Sequence, residues 1–404
     1  MPTERRDVVV VGGGVIGCAV AKWLAVDHDV LLFEADQLAA DASGKASGMV
    51  TNGASFRAHP EFARTSADFF PEFDGTGSFT FTERESIGLV AEGDDDWARD
   101  EAERMRAANF DVEFASVPTL ESRYPDVFDL ERYEGGLIYH DTGWLDPYTY
   151  TVTLANAAKD RGADLQTGVR ATALLVEDGA MIGVETDAGT VRAETVVVAA
   201  GWRSRELCLP QLELPVRPFR WQAATLDPDR ELPDWYPMGW DPTVDRYWRP
   251  EHNGSIHVGG GEVVVTDPGS RHSAVSEDFK LQLATEMPDR LQHLTDSTFV
   301  RGDTCPTGDA STPDTYPIID APDEGPENLV VATGCHIGGI MSSPAVAEGV
   351  RSLVTGEEAD FSLEPFRLDR FKTRSADFPF VHHMAETDIT ESRIEAGASR
   401  NEAD

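Results

Sequence analysis

One N-terminal unit constrains the fold of this chain more than any other feature. Residues 7–11 (DVVVV) form the β-branched run that is typical of a strand buried on both faces. The strand leads directly into a glycine-rich run, 12–17 (GGGVIG), which fits G-x-G-x-x-G, and apolar residues then recur at helical spacing. A second strand over residues 30–33 ends in Glu34. Because these parts occur in register, the unit predicts an α/β domain of Rossmann type that binds a dinucleotide.

Each part of the unit has a predicted task. The glycines permit a tight turn, let the backbone approach a pyrophosphate, and let helix and strand pack closely. Backbone N–H groups at the start of the helix are expected to face the phosphates. Glu34 can accept hydrogen bonds from both ribose hydroxyls and would repel a 2′-phosphate, which favours FAD or NAD over NADP. The predicted contacts are Gly12, Gly14, Val15, Ile16, Gly17 and Glu34.

The charge of the chain excludes several classes of partner. Its 404 residues include 72 acidic and 34 basic ones, which gives a formal net charge of −38. DNA, RNA and anionic membranes need clusters of Lys and Arg, so we expect none of these as partners. The acids are spread along the chain, and we interpret them as adaptation to high salt, because molar salt shortens the Debye length to about 3 Å. A melting temperature that stays constant from about 0.1 M to about 3 M KCl would contradict this interpretation.

Composition adds further limits. The length suggests two or three domains. The four cysteines are scattered without a C-x-x-C pair, which argues against a disulfide framework and against a structural zinc site. No apolar run approaches the roughly 18–20 residues of a membrane span, and the first apolar stretch leads straight into the glycine motif rather than a signal-peptide cleavage site. We therefore expect a soluble, cytoplasmic protein without a metal site.

Two later segments favour FAD over NAD. Residues 43–48 (SGKASG) can cradle a pyrophosphate or pass close to a flat ring, although an ordinary capped helix is the alternative. A buried strand over 328–333 ends in the glycine-rich run 334–339, and a helix is predicted from Pro344 to Leu353. This second strand-to-helix junction could point a helix N-terminus at the same cofactor, where its dipole would stabilise a reduced, anionic flavin.

Together these segments resemble the FAD-dependent D-amino acid oxidase, glycine oxidase and sarcosine oxidase family. The resemblance covers residues 7–371 and rests on the order and spacing of GGGVIG…E (12–34), GWLDP (143–147), VVVAAG (196–201), TPDTYPIID (312–320), NLVVATGCHIGGIMSSPA (328–345) and PFRLDRF (365–371). It implies an FAD-binding Rossmann-like domain of GR2 type with an inserted antiparallel-sheet substrate domain. It also implies FAD as the cofactor and oxidation of the C–N bond of an amino acid or N-methylated glycine.

The resemblance also implies where the cofactor is held. The segment 43–48 would lie by the pyrophosphate and ribityl chain, with Ser43, Gly44, Lys45, Ser47 and Gly48 as its contacts. The backbone of Ala171 would contact adenine, and Gly201 would pass near the ADP part. Gly339, Ile340 and Met341 would offer backbone N–H groups near the flavin pyrimidine ring.

Carboxylate recognition does not carry over simply, because CPTGDAS (305–311) lacks the arginine that some relatives carry before TPD. Candidates within this chain are Arg249, Arg57 and Arg220. A surface ion pair is the alternative for each, and it is the favoured reading for Arg57 and Arg220. Arg249 lies on a strand expected to face the flavin, so it is predicted to be a catalytic-site residue.

His257 is the second catalytic candidate. It occurs where the resemblance places an oxygen-activating lysine beside the flavin, and a protonated imidazole could stabilise developing superoxide. A strand histidine facing solvent is the alternative. If His257 is neutral, we expect slow reaction with O2 and a dehydrogenase that uses another electron acceptor. Cys305 lies near the position of a flavin-linked cysteine, but its spacing to TPD is longer, so no covalent link is expected.

The predicted domains are discontinuous. Residues 1–75, 140–215 and 310–371 would form the FAD domain, 76–139 and 216–309 one antiparallel substrate sheet over the flavin, and 372–404 a disordered acidic tail that includes His382-His383. The predicted strands are 79–90, 166–176, 181–187, 190–193, 196–200, 245–249, 255–259 and 262–265, and the predicted helices include 95–108 and 276–293. Besides an amine or amino-acid oxidoreductase that uses O2 or another acceptor, a 2-hydroxy-acid dehydrogenase and a non-catalytic FAD-binding subunit stay open.

Overall fold

The computed structural model describes residues 5–265 and 274–381. The strands are β1 (Arg5–Val11), β2 (Val30–Glu34), β3 (Met49–Val50), β4 (Phe81–Glu83), β5 (Ser86–Ala91), β6 (Val112–Ser116), β7 (Tyr133–Tyr139), β8 (Gly143–Leu145), β9 (Asp164–Thr167), β10 (Ala171–Glu177), β11 (Ala180–Thr186), β12 (Gly189–Val198), β13 (Arg217–Asp227), β14 (Met238–Asp241), β15 (Arg246–Pro250), β16 (Ile256–Val264), β17 (Thr298–Thr304), β18 (Asp309–Ser311), β19 (Ile318–Asp320) and β20 (Leu329–Thr333). The helices are α1 (Val15–Leu24), α2 (Ala42–Lys45), α3 (Asn52–Ser55), α4 (Pro60–Phe73), α5 (Asp95–Ala107), α6 (Val117–Arg123), α7 (Pro147–Asp160), α8 (Ser204–Cys208), α9 (Glu277–Glu286) and α10 (Gly339–Thr355).

The first sheet is built around β1. Its order is β10-β11-β12-β1-β2-β9, with β20 beside the end of β12 and β19 beside β20. The strands β20, β12, β1, β2 and β9 run parallel. The β-branched residues of β1 from Val8 to Val11 are buried, as their run predicts, and α1 packs against both α7 and α10. The predicted Rossmann-like α/β domain is confirmed.

The second sheet combines strands from two distant parts of the chain. Its order is β17-β13-β16-β15-β14-β5-β7-β6, and β18 pairs with β13. The two parts meet where β14 pairs with β5, and this junction is parallel, whereas the other pairs in the sheet are antiparallel. The predicted antiparallel sheet therefore contains one parallel pair, at the junction of its two parts. A small sheet, β3-β8-β4, lies apart from both.

Several element boundaries differ from the prediction. The predicted strands 255–259 and 262–265 form one strand, β16, whose two positive-φ glycines, Gly260 and Gly261, lie at an irregularity in its pairing with β13. Similarly, the predicted strands 190–193 and 196–200 are joined in one strand, β12, which ends at Val198, and 79–90 is divided into β4 and β5. Helix α9 ends at Glu286, and a 3-10 turn containing Pro288 follows.

Residues 372–381 pack against the body of the molecule, although we predicted them as part of a disordered tail. Nη1 of Arg217 donates to the Phe378 carbonyl oxygen at 2.7 Å, and Arg374 forms an ion pair with Glu324. The rest of the predicted tail, including His382-His383, lies outside the described residues. The predicted domain division stays a prediction. The small sheet crosses it, because β4 from the predicted substrate insertion pairs with β8 from the predicted FAD domain, and β18 lies at a predicted boundary.

Candidate cofactor and substrate site

The two large sheets enclose a cavity of about 630 Å³. Its walls include the glycine turn after β1, the end of β2, the first turn of α10, and residues of β5, β7, β14 and β15. Ligand sites of enzymes commonly lie where the carboxyl ends of parallel strands meet helix N-termini, and the glycine turn has this position. The cavity is therefore the candidate site for both cofactor and substrate.

The glycine-rich run after β1 accepts only glycine at two positions, Gly12 in the turn and Gly17 in the first turn of α1. Gly12 has φ +117°, and a Cβ atom there would lie 2.4 Å from the Ala199 carbonyl oxygen. A Cβ atom on Gly17 would lie 1.9 Å from the Gly12 carbonyl oxygen. Both distances are far below van der Waals contact, so the absence of side chains is what lets β1, β12 and α1 come together.

Glu34 and Ser43 are tied to this turn by hydrogen bonds. The Glu34 carboxylate accepts from the N–H groups of Gly13 and Asp36, each at 2.7 Å. Since a carboxylate offers about four acceptor sites, capacity for ribose hydroxyls is left. Oγ of Ser43 accepts from the Val15 N–H at 3.0 Å, which fixes the segment 43–48 beside the start of α1.

A second helix N-terminus faces the cavity. Helix α10 begins at Gly339, five residues before the predicted start, and its first three residues line the cavity. The first bond from within the helix runs from the Ser342 N–H to the Gly338 oxygen at 2.9 Å, so the N–H groups of residues 339–341 have no partner inside the helix. Their positive dipole end suits the electron-rich edge of a bound flavin.

The turn before α10 rests on a buried acid. The carboxylate of Asp309, which also lines the cavity, accepts the Ile337 N–H at 3.0 Å. Burial raises the pKa of Asp309 above its usual value, while its hydrogen bonds to the backbone oppose that change. Another acid, Asp41, accepts hydrogen bonds from the side chain and N–H of Thr307 and lies 3.5 Å from Nη1 of Arg203. These acids hold together the loops that form the cavity wall.

Most of the predicted cofactor residues line the cavity, and four do not. The lining residues are Gly12, Gly14, Val15, Ile16, Glu34, Ser43, Ser47, Ala171, Gly201, Gly339, Ile340 and Met341. Gly17, Gly44 and Gly48 lie behind the lining, where a Cβ atom on any of them would collide with a backbone carbonyl. The ammonium of Lys45 lies 3.1 Å from Asp303 instead. The proposed contacts of the lining residues with FAD stay predictions.

Arg249 lies behind the lining. It is 5% exposed, its Nε donates to the Ser47 carbonyl oxygen at 2.5 Å, and its Nη1 lies 3.2 Å from a carboxylate oxygen of Glu251. The guanidinium also stacks on Trp144, 4.5 Å from the ring centre. These contacts tie the segment 43–48 to the second sheet, so in this structure Arg249 supports the cavity wall rather than facing the cavity.

His257 also lies behind the lining, within the second sheet. Its cross-strand neighbours are Arg249 on β15 and Thr225 on β13, and Nε of Arg301 donates to the Thr225 hydroxyl at 3.2 Å. Burial, with the positive charges of Arg249 and Arg301, lowers the pKa of His257 well below its usual value. Within the described part of the chain its Nε2 makes no hydrogen bond. The imidazole is therefore neutral near pH 7.

Arg57 is the candidate arginine that lines the cavity, where we had favoured a surface ion pair. Its guanidinium lies 5.8 Å from the ring centre of Trp97, which also lines the cavity. The rings of Tyr139 and Trp240 lie 5.5 Å apart in the same wall. Arg220 is not a lining residue, and its Nη2 donates to the Pro306 carbonyl oxygen at 3.4 Å. A cation bordered by aromatic rings can hold a carboxylate beside an apolar group.

The cofactor half of the cavity fits FAD in its donor set: a glycine turn, an acid at the end of β2, and two helix N-termini. A family model described as DAO, FAD dependent oxidoreductase, matches residues 7–353. The chain belongs to this family. FAD is accordingly its cofactor, and the resemblance stated from the motifs is confirmed.

Curated members of the family are similar to this chain at modest identity. The 4-methylaminobutanoate oxidase (formaldehyde-forming) of Paenarthrobacter nicotinovorans is 29% identical over 51% of this chain and 26% of its own length. The bifunctional protein ThiO/ThiG of Trichormus variabilis is 26% identical over 94% of this chain and 57% of its own length. The sarcosine oxidase subunit beta of an Arthrobacter species is 23% identical over 92% of each chain. The chain thus spans only a quarter to just over half of the first two proteins.

Two solved structures share the fold of this chain. Glycine oxidase from Geobacillus kaustophilus superposes with a TM-score of 0.81 at 24% identity, over 92% of this chain and all of that one. L-proline dehydrogenase from P. horikoshii superposes with a TM-score of 0.83 at 20% identity, over 92% and 98% of the two chains. The predicted architecture of an FAD-binding domain with a second, sheet-containing domain is confirmed.

The sequence did not lead us to predict the aromatic wall of the cavity, which includes Trp97, Tyr139, Trp240 and Tyr247. Glycines inside two strands nevertheless pointed to part of this wall. A Cβ atom on Gly88 would lie 2.4 Å from Cζ2 of Trp240, and one on Gly259 would lie 2.1 Å from the Tyr247 ring. Glycine inside a strand often marks such a close approach, so both glycines could have indicated that a ring lies over them. Trp240 and Tyr247 line the cavity because these glycines leave room.

The remaining predictions concern a flavin-linked cysteine, a metal site and a membrane-spanning segment. Cys305 is buried and is not among the lining residues, and burial raises its pKa to about 12. Over residues 5–265 and 274–381, no three His, Cys, Asp or Glu side chains are grouped so as to hold a metal ion. No helix in those same ranges is both long and apolar enough to cross a membrane.

Proposed function

We propose that this enzyme oxidises the C–N bond of an amino acid or an N-methylated amino acid. The observation that carries the proposal is the position of Arg57 in the cavity lining, beside Trp97 and in a cavity shared with the FAD-binding turn. A substrate carboxylate on Arg57 would leave the amine in the same cavity as the cofactor. The printed names of the relatives, which include a methylaminobutanoate oxidase and a sarcosine oxidase subunit, support this substrate class.

The reaction needs few side chains. The substrate carbon next to nitrogen would lose a hydride while the nitrogen lone pair forms a C=N bond, and water would then hydrolyse the imine to a carbonyl compound and an amine. FAD, when bound, supplies the hydride acceptor. Arg57 would fix the carboxylate and so the position of the reacting carbon, and the aromatic wall would exclude water. Burial raises the pKa of Tyr139 above its usual value, so its hydroxyl stays protonated.

We further propose that the electron acceptor is a molecule other than O2, and that FAD is bound without a covalent link. Two observations support the first statement: His257 lies behind the cavity lining, and its surroundings disfavour the protonated imidazole that oxygen activation would require. The absence of a covalent link is supported by Cys305, which is buried and is not among the residues that line the cavity. A location in the cytoplasm stays a prediction.

Anaerobic reduction of the purified holoenzyme tests the proposed function. Sarcosine, glycine, D-alanine, D-proline and a 2-hydroxy acid are added separately, and the visible absorbance of the oxidised flavin is followed. Bleaching by an amine, with the carbonyl product recovered in equal amount, is the expected result. Bleaching by the 2-hydroxy acid alone, or by no compound, would reject it.

A second candidate is an FAD-binding subunit of a larger complex. The match over 92% of both chains to a protein named sarcosine oxidase subunit beta favours it. The two candidates differ in what the isolated chain does. If the chain alone binds FAD but no amine reduces it, while a partner purified with it restores reduction, the subunit proposal is supported.

A further inference from the structure

We propose that residues 372–381 form a C-terminal clasp that holds the turn before α10 in its FAD-binding conformation, with Phe380 as the positioning residue. The turn consists of residues 334–339, and Cys335, Ile337 and Gly339 among them line the cofactor cavity. The clasp lies beyond the matched family region, which ends at residue 353. The proposal depends on FAD binding and not on which substrate is oxidised.

The turn has a conformation that its own sequence disfavours. His336 has φ +38° and Ile337 has φ +47°, two successive non-glycine residues in the left-handed region. Each such residue is strained, and the strain persists only where surrounding contacts over-determine the backbone. The turn must therefore be held by groups outside it.

Polar contacts hold one side of the turn. The His336 N–H donates to the Ala310 carbonyl oxygen at 3.0 Å, and Nδ1 of His336 lies 3.0 Å from Oγ of Ser311. The carboxylate of Asp309 accepts the Ile337 N–H. All three partners belong to β18, so these contacts fix the backbone against one strand.

Aromatic contacts hold the imidazole of His336, and the clasp supplies one of the rings. Phe219 stacks on His336 with centroids 4.5 Å apart and planes at 16°. Phe380 lies 5.6 Å from His336 and 5.2 Å from Phe219, so the three rings meet one another. Removing the Phe380 ring would open one side of this cluster to water.

The same cluster joins the clasp to the cavity wall. Phe219, Trp221, Ala223 and Cys305 form a small buried group of their own, and Ala42, Ile337 and Phe380 pack against it. Ala42, Trp221 and Ile337 also line the cavity. Because this group is small, one missing ring is a large part of its apolar cover, and the loss is expected to reach the cofactor-facing residues.

The clasp is anchored on the strand that carries Phe219. Arg217, two residues before Phe219 on β13, donates to the carbonyl oxygen of Phe378 at 2.7 Å, and its guanidinium lies 5.5 Å from the Phe378 ring. The hydrogen bond uses the backbone of Phe378, so Phe378→Ala keeps it. This substitution is a matched control, because it removes a clasp phenylalanine for which the structure shows no contact with His336.

The test measures FAD affinity and the dynamics of the turn in the full-length apoprotein. We expect Phe380→Ala to raise the Kd for FAD about tenfold, which corresponds to about 1.4 kcal/mol, and Phe378→Ala to change it less than twofold. Hydrogen exchange of a peptide spanning 334–341 should quicken in Phe380→Ala alone. Phe380→Leu, which restores apolar cover without the ring, should bring the Kd to within about threefold of the parent.

Three outcomes would overturn the proposal. An unchanged Kd in Phe380→Ala, or an equal loss in Phe378→Ala, would show that the ring does not position the turn. If Phe380→Ala destabilises the apoprotein, the hydrogen-exchange pattern distinguishes a local effect on the turn from a general loss of stability. Faster exchange throughout the chain rather than at 334–341 would assign Phe380 a general structural role. Failure of every amine to reduce the flavin would reject the proposed function and leave this result unaffected.

Discussion

The two ends of the cavity are built in different ways. The cofactor end consists mainly of backbone: glycines that leave room, N–H groups at two helix N-termini, and one acid at the end of β2. The proposed substrate end consists of side chains from β5, β7, β14 and α5, together with Arg57. Backbone features depend on local motifs, whereas a wall of side chains depends on how distant strands meet. The two ends should therefore respond differently to substitution.

The largest effect is expected at the cofactor end, from Gly12→Ala. The added Cβ would lie 2.4 Å from the Ala199 oxygen in a backbone conformation that alanine disfavours. We expect a cost of about 3 kcal/mol or more, seen as an FAD Kd raised at least about 100-fold by fluorescence titration.

Gly162→Ala is the matched control for this substitution. Its φ of +101° is similar, but a Cβ there meets no atom within 4 Å. We expect it to lower the free energy of unfolding by about 1 kcal/mol and to leave FAD affinity unchanged. Equal effects of the two substitutions on the Kd would show that backbone strain, not crowding at the turn, determines the result.

The next largest effect is expected at the substrate end, from Arg57→Gln. Loss of charge-assisted hydrogen bonds worth about 1.5–3 kcal/mol should raise KM for a carboxylated amine about 10- to 150-fold. The Kd for FAD should stay constant, as should KM for an N-methylated amine without a carboxylate. Arg220→Gln, at an arginine outside the cavity lining, is the control. An Arg57→Gln enzyme with unchanged KM would remove Arg57 from the proposal.

The difference between the two ends also explains what the sequence could predict. Gly12, Gly17 and Glu34 occur within 23 residues, so one motif predicts their strand, turn and helix without knowledge of the rest. Tyr139, Trp240 and Tyr247 come from three strands, and their meeting depends on the parallel junction of β14 with β5, which no local pattern specifies. From the sequence, Arg249 is favoured over Arg57 as a carboxylate-binding residue, whereas in the structure Arg57 lines the cavity and Arg249 lies behind the lining. The local sequence around either arginine does not show which segments of the chain meet at the cavity.

Gly88→Ala should produce a smaller effect, confined to the substrate end. A Cβ at this position would lie 2.4 Å from Cζ2 of Trp240, so the indole must move within the wall of the cavity. We expect KM for the amine to change about tenfold, with an FAD Kd within twofold of the parent. Steady-state kinetics and FAD titration of the same preparation measure both. A matching change in FAD affinity would contradict the separation of the two ends.

The smallest effect is expected from His257→Asn, at a residue behind the cavity lining. A neutral imidazole cannot supply charge to developing superoxide, so the rate of flavin reoxidation by O2 should change less than about twofold, measured by stopped flow after anaerobic reduction.

The same substitution should change the stability of the protein at low pH. Because the folded-state pKa of His257 lies below the unfolded value of about 6.5, only the unfolded chain gains a proton as the pH falls below that value, and stability is lost there. His257→Asn should lose less stability between about pH 6.5 and pH 5 than the parent does, as measured by urea unfolding. A large fall in the reoxidation rate, with an unchanged acid-side stability profile, would instead place a charged His257 at the flavin.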